Sequence, residues 1–307
     1  MKTILLAGAT GHLGRLVAQE LKAQELKAQG YTVQAIARQP SKLAELNLDK
    51  VIGADLTTSS SLQASCKDID AVISCAGASM NVGNFSDKKS FCEVDYQGNL
   101  NLLNEAKKSS VQKFVYVSLA GAEGFRHVEY ADAHEKFVDV LKTSGLAYSV
   151  VRPTGFFSFL LELLGFAKRG FGVSIGDGSC KTNPIHEADV ARACVEALES
   201  SEAEITVGGP DVLTRKETSL LAFEALGKKP RLMTVSPAVF KGLIAPLKLS
   251  NKRIYALMDF GIAVSDIPDF IERRDHGAFE SWTDQVEFVR SVYDERLFGS
   301  SQFFSRY

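Results

Sequence analysis

The sequence predicts an α/β fold: a doubly wound parallel sheet with a smaller C-terminal lobe. Short β-branched runs alternate with helical patterns through the first half of the chain, as in successive strand–helix–strand units. These runs are almost wholly apolar, which is typical of parallel strands that helices cover on both faces. The predicted strands are Ile4–Ala7, Thr32–Ala37, Val51–Ile52, Ala71–Ser74, Phe114–Ser118, Tyr148–Val151 and Glu204–Val207.

The first strand ends in a glycine-rich turn that opens a helix. Gly8, Gly11 and Gly14 have the spacing Gly-x-x-Gly-x-x-Gly in the strand–turn–helix context that a dinucleotide-binding Rossmann domain requires. The first glycine allows the tight turn, the second lets the backbone approach a pyrophosphate, and the third allows close helix–strand packing. The free N–H groups at the helix start favour the anion. The residues predicted to bind the cofactor here are Gly8, Thr10, Gly11, His12, Leu13 and Gly14; the backbone of His12 matters more than its ring.

The first helix contains an internal repeat, in which residues 20–24 (ELKAQ) recur as residues 25–29. Five residues advance a helix by about 140° beyond a whole turn, so the apolar stripe cannot continue through the second copy on the same face. The second copy therefore extends the helix past the sheet or loops out before Gly30. An interaction helix is the alternative interpretation.

The end of the second strand sets the choice of cofactor. An acidic residue there would bind the ribose 2′-hydroxyl of NAD(H), but the sequence has Arg38 and, four residues later, Lys42. Both cations can hold a 2′-phosphate, arginine in a bidentate geometry. This favours NADP(H), with NAD(H) possible; two solvated surface cations are the alternative.

Two further strand ends are expected to meet the cofactor. Asp55 and Leu56 follow the third strand, where the adenine edge would lie. The small residues Cys75, Ala76 and Gly77 follow the fourth strand, where a bulky side chain would exclude the adenine ribose and pyrophosphate.

Five motifs together resemble the atypical short-chain dehydrogenase/reductase superfamily, in particular its NmrA-like NAD(P)H-binding branch, over residues 1 to about 210. The motifs are Gly8–Gly14, Val94–Asn99, Phe114–Ser118, Val151–Phe157 and Asn183–Ala191. The resemblance implies that Ser118 faces the nicotinamide. It also implies that a second segment passes along the nicotinamide ribose and amide; its residues are Pro153, Thr154, Gly155 and Phe156. Asp189 more plausibly caps or pairs at a helix start than takes part in chemistry.

Catalytic members of this superfamily use Tyr-x-x-x-Lys, in which the lysine holds the ribose and lowers the tyrosine pKa. Here Tyr130 is followed by His134, with Lys136 two residues beyond. Residues 130 and 134 share a helix face, whereas 136 points elsewhere. His134 either bonds the nicotinamide ribose and tunes Tyr130, or it is an ordinary helix histidine and Tyr130 is incidental. The predicted catalytic residues are Tyr130, His134 and Ser118.

The pattern loosens from about Pro153, with Phe-rich and Gly-rich segments between helices. We predict an NAD(P)-binding domain from residues 1–152 and about 181–209, and a substrate or lid lobe from residues 153–180 and about 210–307. Apolar residues between 156 and 166 form core and, in part, a cleft beside the hydride position, which suits an apolar small-molecule substrate. Residues 240–261 mix apolar and basic residues and read as a lid, an interaction face or a solvated helix pair.

Composition excludes several classes of protein. The net charge of −2 gives no electrostatic footprint for nucleic acid or an anionic membrane. The most apolar stretch, residues 155–167, is too short to span a bilayer. The N-terminus shows no signal-peptide cleavage pattern. The five scattered cysteines predict free, mostly buried thiols and no metal site. We expect a cytoplasmic or stromal-like protein.

Two functions remain open from the sequence. The first is an NADP(H)-dependent reductase of a small or medium apolar carbonyl or enone. The second is a non-catalytic NADP(H)-binding sensor or assembly factor, a function also found in the NmrA-like branch. The histidine in place of the family lysine keeps the second open. Oligomeric state and protein partners do not follow from the sequence.

Overall fold

The computed structural model describes residues 2–24, 30–80 and 88–265. The second copy of the repeat, residues 25–29, and the end of the predicted lobe beyond residue 265 lie outside the described residues. All seven predicted strands fall within them.

A seven-stranded parallel sheet forms the centre of the molecule, in the order β3-β2-β1-β4-β5-β6-β9. Its strands are β1 (Lys2–Ala7), β2 (Tyr31–Ala37), β3 (Lys50–Gly53), β4 (Ala71–Ser74), β5 (Lys113–Val117), β6 (Ala147–Pro153) and β9 (Glu204–Val207). The strand order reverses at β1, which pairs with β2 on one side and β4 on the other. This is the doubly wound arrangement that the sequence predicted, so the fold class is confirmed.

Apolar residues are buried on both faces of the sheet. In β1, Ile4 and Leu6 join one core cluster, while Leu5 joins the other. The helices α1 (His12–Gln24) and α5 (Glu187–Glu196) cover the first face, and α2 (Asn99–Lys108) and α3 (Glu129–Lys142) cover the second. A π-helical segment, Cys92–Gly98, leads directly into α2.

The segments after β6 extend from the carboxyl end of the sheet. They include two small two-stranded sheets, β7 (Gly172–Ile175) with β11 (Leu232–Val235), and β8 (Lys181–Thr182) with β10 (Leu213–Thr214). Their helices are α4 (Ser158–Lys168), α6 (Arg215–Ala225), α7 (Pro237–Ile244), α8 (Leu247–Ser250) and α9 (Lys252–Ser265). Helix α9 packs back on α3. The division into two domains stays a prediction. In the described part of the chain, no helix has the length and apolar character to cross a bilayer.

Candidate functional site

The glycine turn between β1 and α1 is built from close backbone contacts. Gly8 has φ +84°, and a Cβ on it would lie 2.6 Å from the carbonyl carbon of Cys75. A Cβ on Gly14 would lie 2.7 Å from the carbonyl carbon of Gly8. The Gly11 amide donates to the Gly8 carbonyl at 3.0 Å and closes the turn. The turn therefore fits a pyrophosphate: side chains are excluded, and helix α1 begins at His12 with its amides facing the turn.

The other turn residues differ in exposure. Thr10 and Gly11 are exposed, whereas His12 and Leu13 are half-buried, and Leu13 packs on the core. Burial lowers the pKa of His12 despite the nearby carboxylate of Glu187, so its ring is neutral at pH 7.

The loop after β4 lies against the glycine turn and is held by two buried polar side chains. The Asp95 carboxylate accepts from the Ala78 amide at 2.9 Å, and a Cβ on Gly77 would lie 2.7 Å from its Oδ1. The Asn99 amide donates to the carbonyl of Ala76 at 3.1 Å and accepts from Ser74 at 2.5 Å. Cys75 is half-buried beside the turn. The structure therefore brings Cys75, Ala76 and Gly77 together with the turn, as their predicted cofactor role requires.

Arg38 and Lys42 lie just beyond the carboxyl end of β2, and both are exposed. Helix α1 supports this segment, because the guanidinium of Arg15 contacts Glu45 and donates to the Lys42 carbonyl at 2.9 Å. The segment is thus positioned by the same helix that begins at the glycine turn. The role of its two cations toward a 2′-phosphate stays a prediction.

The Asp55 carboxylate accepts hydrogen bonds from Lys89 Nζ (2.9 Å), the Thr57 amide (2.9 Å) and the Thr57 hydroxyl (2.8 Å). Burial alone would raise its pKa, but these donors outweigh burial and lower the pKa of Asp55 to about 2. Leu56 packs against the core, and its carbonyl accepts from Asn101. Asp55 therefore organises its own loop, and adenine contact stays a prediction.

Tyr130 lies in the first turn of α3, between the loops that follow β4 and β5. It is half-buried and packs against two apolar clusters, one of which includes Ala78 of the first loop and the other Leu119 of the second. Its ring meets Phe91 and Phe260 edge-on, with centroids 4.8 and 4.9 Å away. Burial, with the nearby carboxylate of Asp95, raises the pKa of Tyr130 well above the usual value of about 10. The phenol is therefore protonated at neutral pH.

His134 shares a helix face with Tyr130, as predicted, with ring centroids 5.0 Å apart. The ring is buried; Nδ1 lies 2.7 Å from the Tyr116 hydroxyl, and Nε2 lies 3.3 Å from Asp95 Oδ1. Burial raises the pKa of Tyr116, so its phenol stays protonated in this hydrogen bond, whose direction depends on the imidazole tautomer. Both ring nitrogens therefore face protein groups. Binding of His134 to a nicotinamide ribose stays a prediction.

Lys136 points away from Tyr130, as predicted, and its ammonium lies 2.6 Å from Asp132. Ser118 is buried at the end of β5, where its hydroxyl contacts Glu135 Oε1 and Arg152 Nη1, each at 3.3 Å. Arg152 in turn binds Glu135 at 2.7 Å. Ser118 thus belongs to a network that includes the buried ion pair of Glu135 and Arg152. That Ser118 faces the nicotinamide stays a prediction.

The segment after β6 pairs with a later loop. The Thr154 hydroxyl donates to the Asn183 carbonyl at 2.6 Å, and Phe156 bridges to Ile185. Pro153 is buried at the strand end, and Gly155 accepts from the Ile185 amide. Asp189 lies in the first turn of α5, 3.2 Å from Arg192, which fits the predicted pairing role.

Free thiols were predicted, and all five cysteines are free. Their predicted burial is only partly right: Cys66 and Cys194 are buried, whereas Cys92 is exposed. Among the described residues, no group of His, Cys, Asp or Glu side chains could hold a metal ion.

Sequence reasoning assigned no role to the side chains that hold the site. The residues concerned are Ser74, Lys89, Asp95, Asn99, Tyr116, Glu135 and Arg152. Asp95 and Asn99 stand in one of the motifs that carried the resemblance and Arg152 stands in another, which was the available signal. Their partners Ala78, Ser74 and Glu135 lie 17 to 25 residues away in sequence, so spacing alone could not connect them.

A family model described as NAD(P)H-binding matches residues 8–201. The match includes the glycine turn, the loop after β4 and α3. The chain belongs to this NAD(P)H-binding family. The predicted place in the atypical short-chain dehydrogenase/reductase superfamily is confirmed, and its NmrA-like branch stays a prediction.

The chain is similar to divinyl chlorophyllide a 8-vinyl-reductase of Arabidopsis thaliana, with 30% identity over 270 residues, covering 80% of this chain and 62% of that protein. It is also similar to the photosystem II assembly factor Ycf39 of Synechocystis, with 28% identity over 160 residues, covering 52% and 46%. It thus spans less than two thirds of the length of these relatives. The fold matches an NADPH-dependent quinone oxidoreductase of Escherichia coli solved with NADPH, with a TM-score of 0.69 and 21% identity, covering 96% of this chain and 100% of that one.

Proposed function

We propose that this protein is an NADP(H)-dependent reductase of an apolar substrate, and that the double bond it reduces belongs to a conjugated carbonyl or an enone. The observation that carries the proposal is Tyr130: a protonated phenol held between the two strand-end loops of a dinucleotide-binding edge. In such a reduction, bound NADPH supplies a hydride to one end of the double bond, and a proton must reach the other end.

Tyr130 suits the proton-donating half of this reaction. Its raised pKa makes it a poor general base at neutral pH but keeps the O–H available as a donor. A positioned proton donor raises the rate of such a reaction by a factor of about 10²–10⁴. The environment of Tyr130 therefore favours reduction of the substrate over oxidation of an alcohol.

The surroundings of Tyr130 favour an apolar, planar substrate. Phe91, Phe125 and Phe260 lie around it, and Phe125 and Phe260 also pack edge-on with centroids 6.1 Å apart. The similarity to reductases of a vinyl group on a chlorophyllide supports a conjugated double bond as the reacting group.

NADP(H) is proposed over NAD(H) because the end of β2 carries Arg38 and Lys42 and no carboxylate at the ribose position. The NADPH-bound quinone oxidoreductase with the same fold supports this choice.

A non-catalytic NADP(H)-binding assembly factor is the second candidate. Two observations favour it: the nitrogens of His134 face Tyr116 and Asp95, and Lys136 is paired with Asp132. The His134 ring packs edge-on against Tyr130, but its nitrogens are turned to other groups, and the Lys136 ammonium is held by Asp132, whereas the family lysine places its ammonium beside the phenol. The similarity to Ycf39 agrees with this candidate.

Single-turnover oxidation of NADPH tests the proposal. Purified protein is mixed with NADPH and a panel containing quinones, enones and divinyl chlorophyllide a, and both NADPH absorbance and product mass are followed. We expect turnover with at least one substrate and a loss of about 10²-fold or more in Tyr130→Phe, with NADPH affinity retained.

Tyr148→Phe is the matched control, because Tyr148 lies near the start of β6, at the amino end of the strand and away from the candidate site. This variant should react like the wild type. Tight NADPH binding without turnover on any substrate would favour the assembly factor. Turnover that is unchanged in Tyr130→Phe would overturn the role of the phenol.

A further inference from the structure

The segment from residue 225 to residue 258 has a charge distribution unlike the rest of the chain. It contains seven basic residues and no aspartate or glutamate, although the whole protein has a net charge of −2. Six of the seven are exposed: Lys228, Lys229, Arg231, Lys241, Lys248 and Lys252. Within the part of the chain that the structure describes, Lys241 lies 3.4 Å from Asp259 of α9. The net charge of the whole chain therefore conceals a segment that is basic and exposed.

Large apolar side chains are exposed on the same segment. On α7, Val239 is 57% exposed and Leu243 is 69% exposed, one helical turn apart, while Ile244 is buried. Leu249 on α8 is 93% exposed. Helix α7 thus buries Ile244 and exposes Val239 and Leu243, and α8, the next helix along the chain, exposes Leu249.

We infer that the outward face of α7 and α8 binds the surface of an anionic lipid bilayer. Exposed leucine and valine flanked by lysines is the combination found in helices that lie in a membrane interface: apolar side chains enter the headgroup–acyl boundary, and cations attract anionic headgroups. Charge complementarity argues for the anionic surface. The outward leucines argue against nucleic acid, whose phosphates would leave them in water.

This face is joined directly to the candidate site. Helix α9 packs on α7 and α8; its Asp259 pairs with Lys241, and its next residue, Phe260, packs on Tyr130. A bilayer against α7 and α8 would thus lie one helix away from the phenol. An apolar substrate dissolved in the lipid could reach the site from that side. The lipid binding itself does not depend on the proposed reaction.

Co-sedimentation with vesicles tests the inference, using phosphatidylcholine alone and phosphatidylcholine with about one third phosphatidylglycerol. We expect the full chain to sediment with the anionic vesicles, much less with the neutral ones, and less again at high salt. Leu243→Ser combined with Leu249→Ser should weaken anionic-vesicle binding about tenfold or more. Lys248→Glu combined with Lys252→Glu should weaken it comparably.

Two matched controls separate this face from general surface effects. Val212→Ser removes another exposed apolar side chain, and Lys107→Glu with Lys108→Glu reverses two cations at the end of α2; both should bind vesicles like the wild type. NADPH binding by every variant serves as the folding check. Failure of the wild type to bind anionic vesicles overturns the inference, as does equal binding by the Leu243/Leu249 variant. The inference is also overturned if the wild type does not bind vesicles but forms a dimer in light scattering, and the leucine variant is monomeric. That result would assign the face to contact with a second copy of the chain.

Discussion

The two halves of the candidate site are made in different ways. The phosphate turn depends on backbone contacts so close that a Cβ on Gly8 or Gly14 has no room. The corner around Tyr130 depends on buried side chains: His134 between Tyr116 and Asp95, and the ion pair of Glu135 with Arg152.

This difference decides how each half responds to substitution. In the turn, adding an atom is the damaging change, because the backbone must move. At the Tyr130 corner, removing an atom is the damaging change, because a buried charge or donor loses its partner. The variants below test this contrast.

The largest effect is expected from Glu135→Ala. Arg152 is buried and donates two hydrogen bonds to the Glu135 carboxylate, at 2.7 and 3.2 Å. Losing one partner of a buried ion pair costs about 3–5 kcal/mol when the other charge is left unpaired. Because Arg152 keeps the partly exposed Glu204, the free energy of unfolding, measured by urea denaturation, should fall by about 3 kcal/mol, the lower end of that range.

Glu204→Ala is the control for this change, since Glu204 binds the same arginine at 2.5 Å but its side chain is 37% exposed. Its removal should cost about 1 kcal/mol. Equal losses from the two variants would mean that burial does not govern the strength of this network.

Gly14→Ala should abolish the nucleotide site by adding one methyl group. The new Cβ would displace the backbone of Gly8 and Ala9, 2.7 and 2.9 Å away. We expect the Kd for NADPH, measured by calorimetry, to rise about 100-fold or more, since the turn amides lose their alignment.

Gly242→Ala adds the same methyl group on α7, where the new Cβ would meet no atom within 4 Å. The Kd of this variant for NADPH should not change. If Gly14→Ala binds NADPH as tightly as this control, close backbone packing is not what builds the turn.

The contrast also explains how much the sequence could predict. The glycine turn is local: three glycines within seven residues, after a strand and before a helix, so spacing sufficed. The apolar runs likewise predicted the strands of the central sheet. The network at Tyr130 joins residues 17 to 18 positions apart, such as Tyr116 with His134 and Glu135 with Arg152. These contacts exist only once β5, α3 and β6 are packed together, and one sequence carries no local pattern for them.

A third prediction concerns pH. The pKa of Asp55 is about 2 in the folded protein, against an ordinary value of 3.8, so its contribution to stability is present above about pH 4 and is lost as pH falls toward 2. Lowering the pKa from 3.8 to about 2 corresponds to about 2.4 kcal/mol, and solvent screening of a side chain that is 32% exposed reduces this to about 1 kcal/mol. Asp55→Asn should therefore be less stable than the wild type by about 1 kcal/mol at pH 7 and equal to it near pH 2.

Lys89→Met removes a donor to the same carboxylate and provides the check. If the two substitutions act through this ion pair, the double variant should lose less stability than the sum of the two single losses. Fully additive losses would assign the effect to something other than the Asp55–Lys89 contact.

The smallest effect is expected where neither close backbone packing nor burial operates, at Arg38. Its side chain is exposed, so a 2′-phosphate bound there remains partly solvated, and the contact contributes about 0.7 kcal/mol, or about threefold in Kd. Arg38→Ala should raise the Kd for NADPH by about that factor in calorimetry at physiological salt. NADH lacks the 2′-phosphate, so its Kd in the same variant is the internal control and should not move. A parallel loss of both nucleotides would place Arg38 in the general framework of the site, and equal affinities of the wild type for NADPH and NADH would remove the basis for the proposed preference.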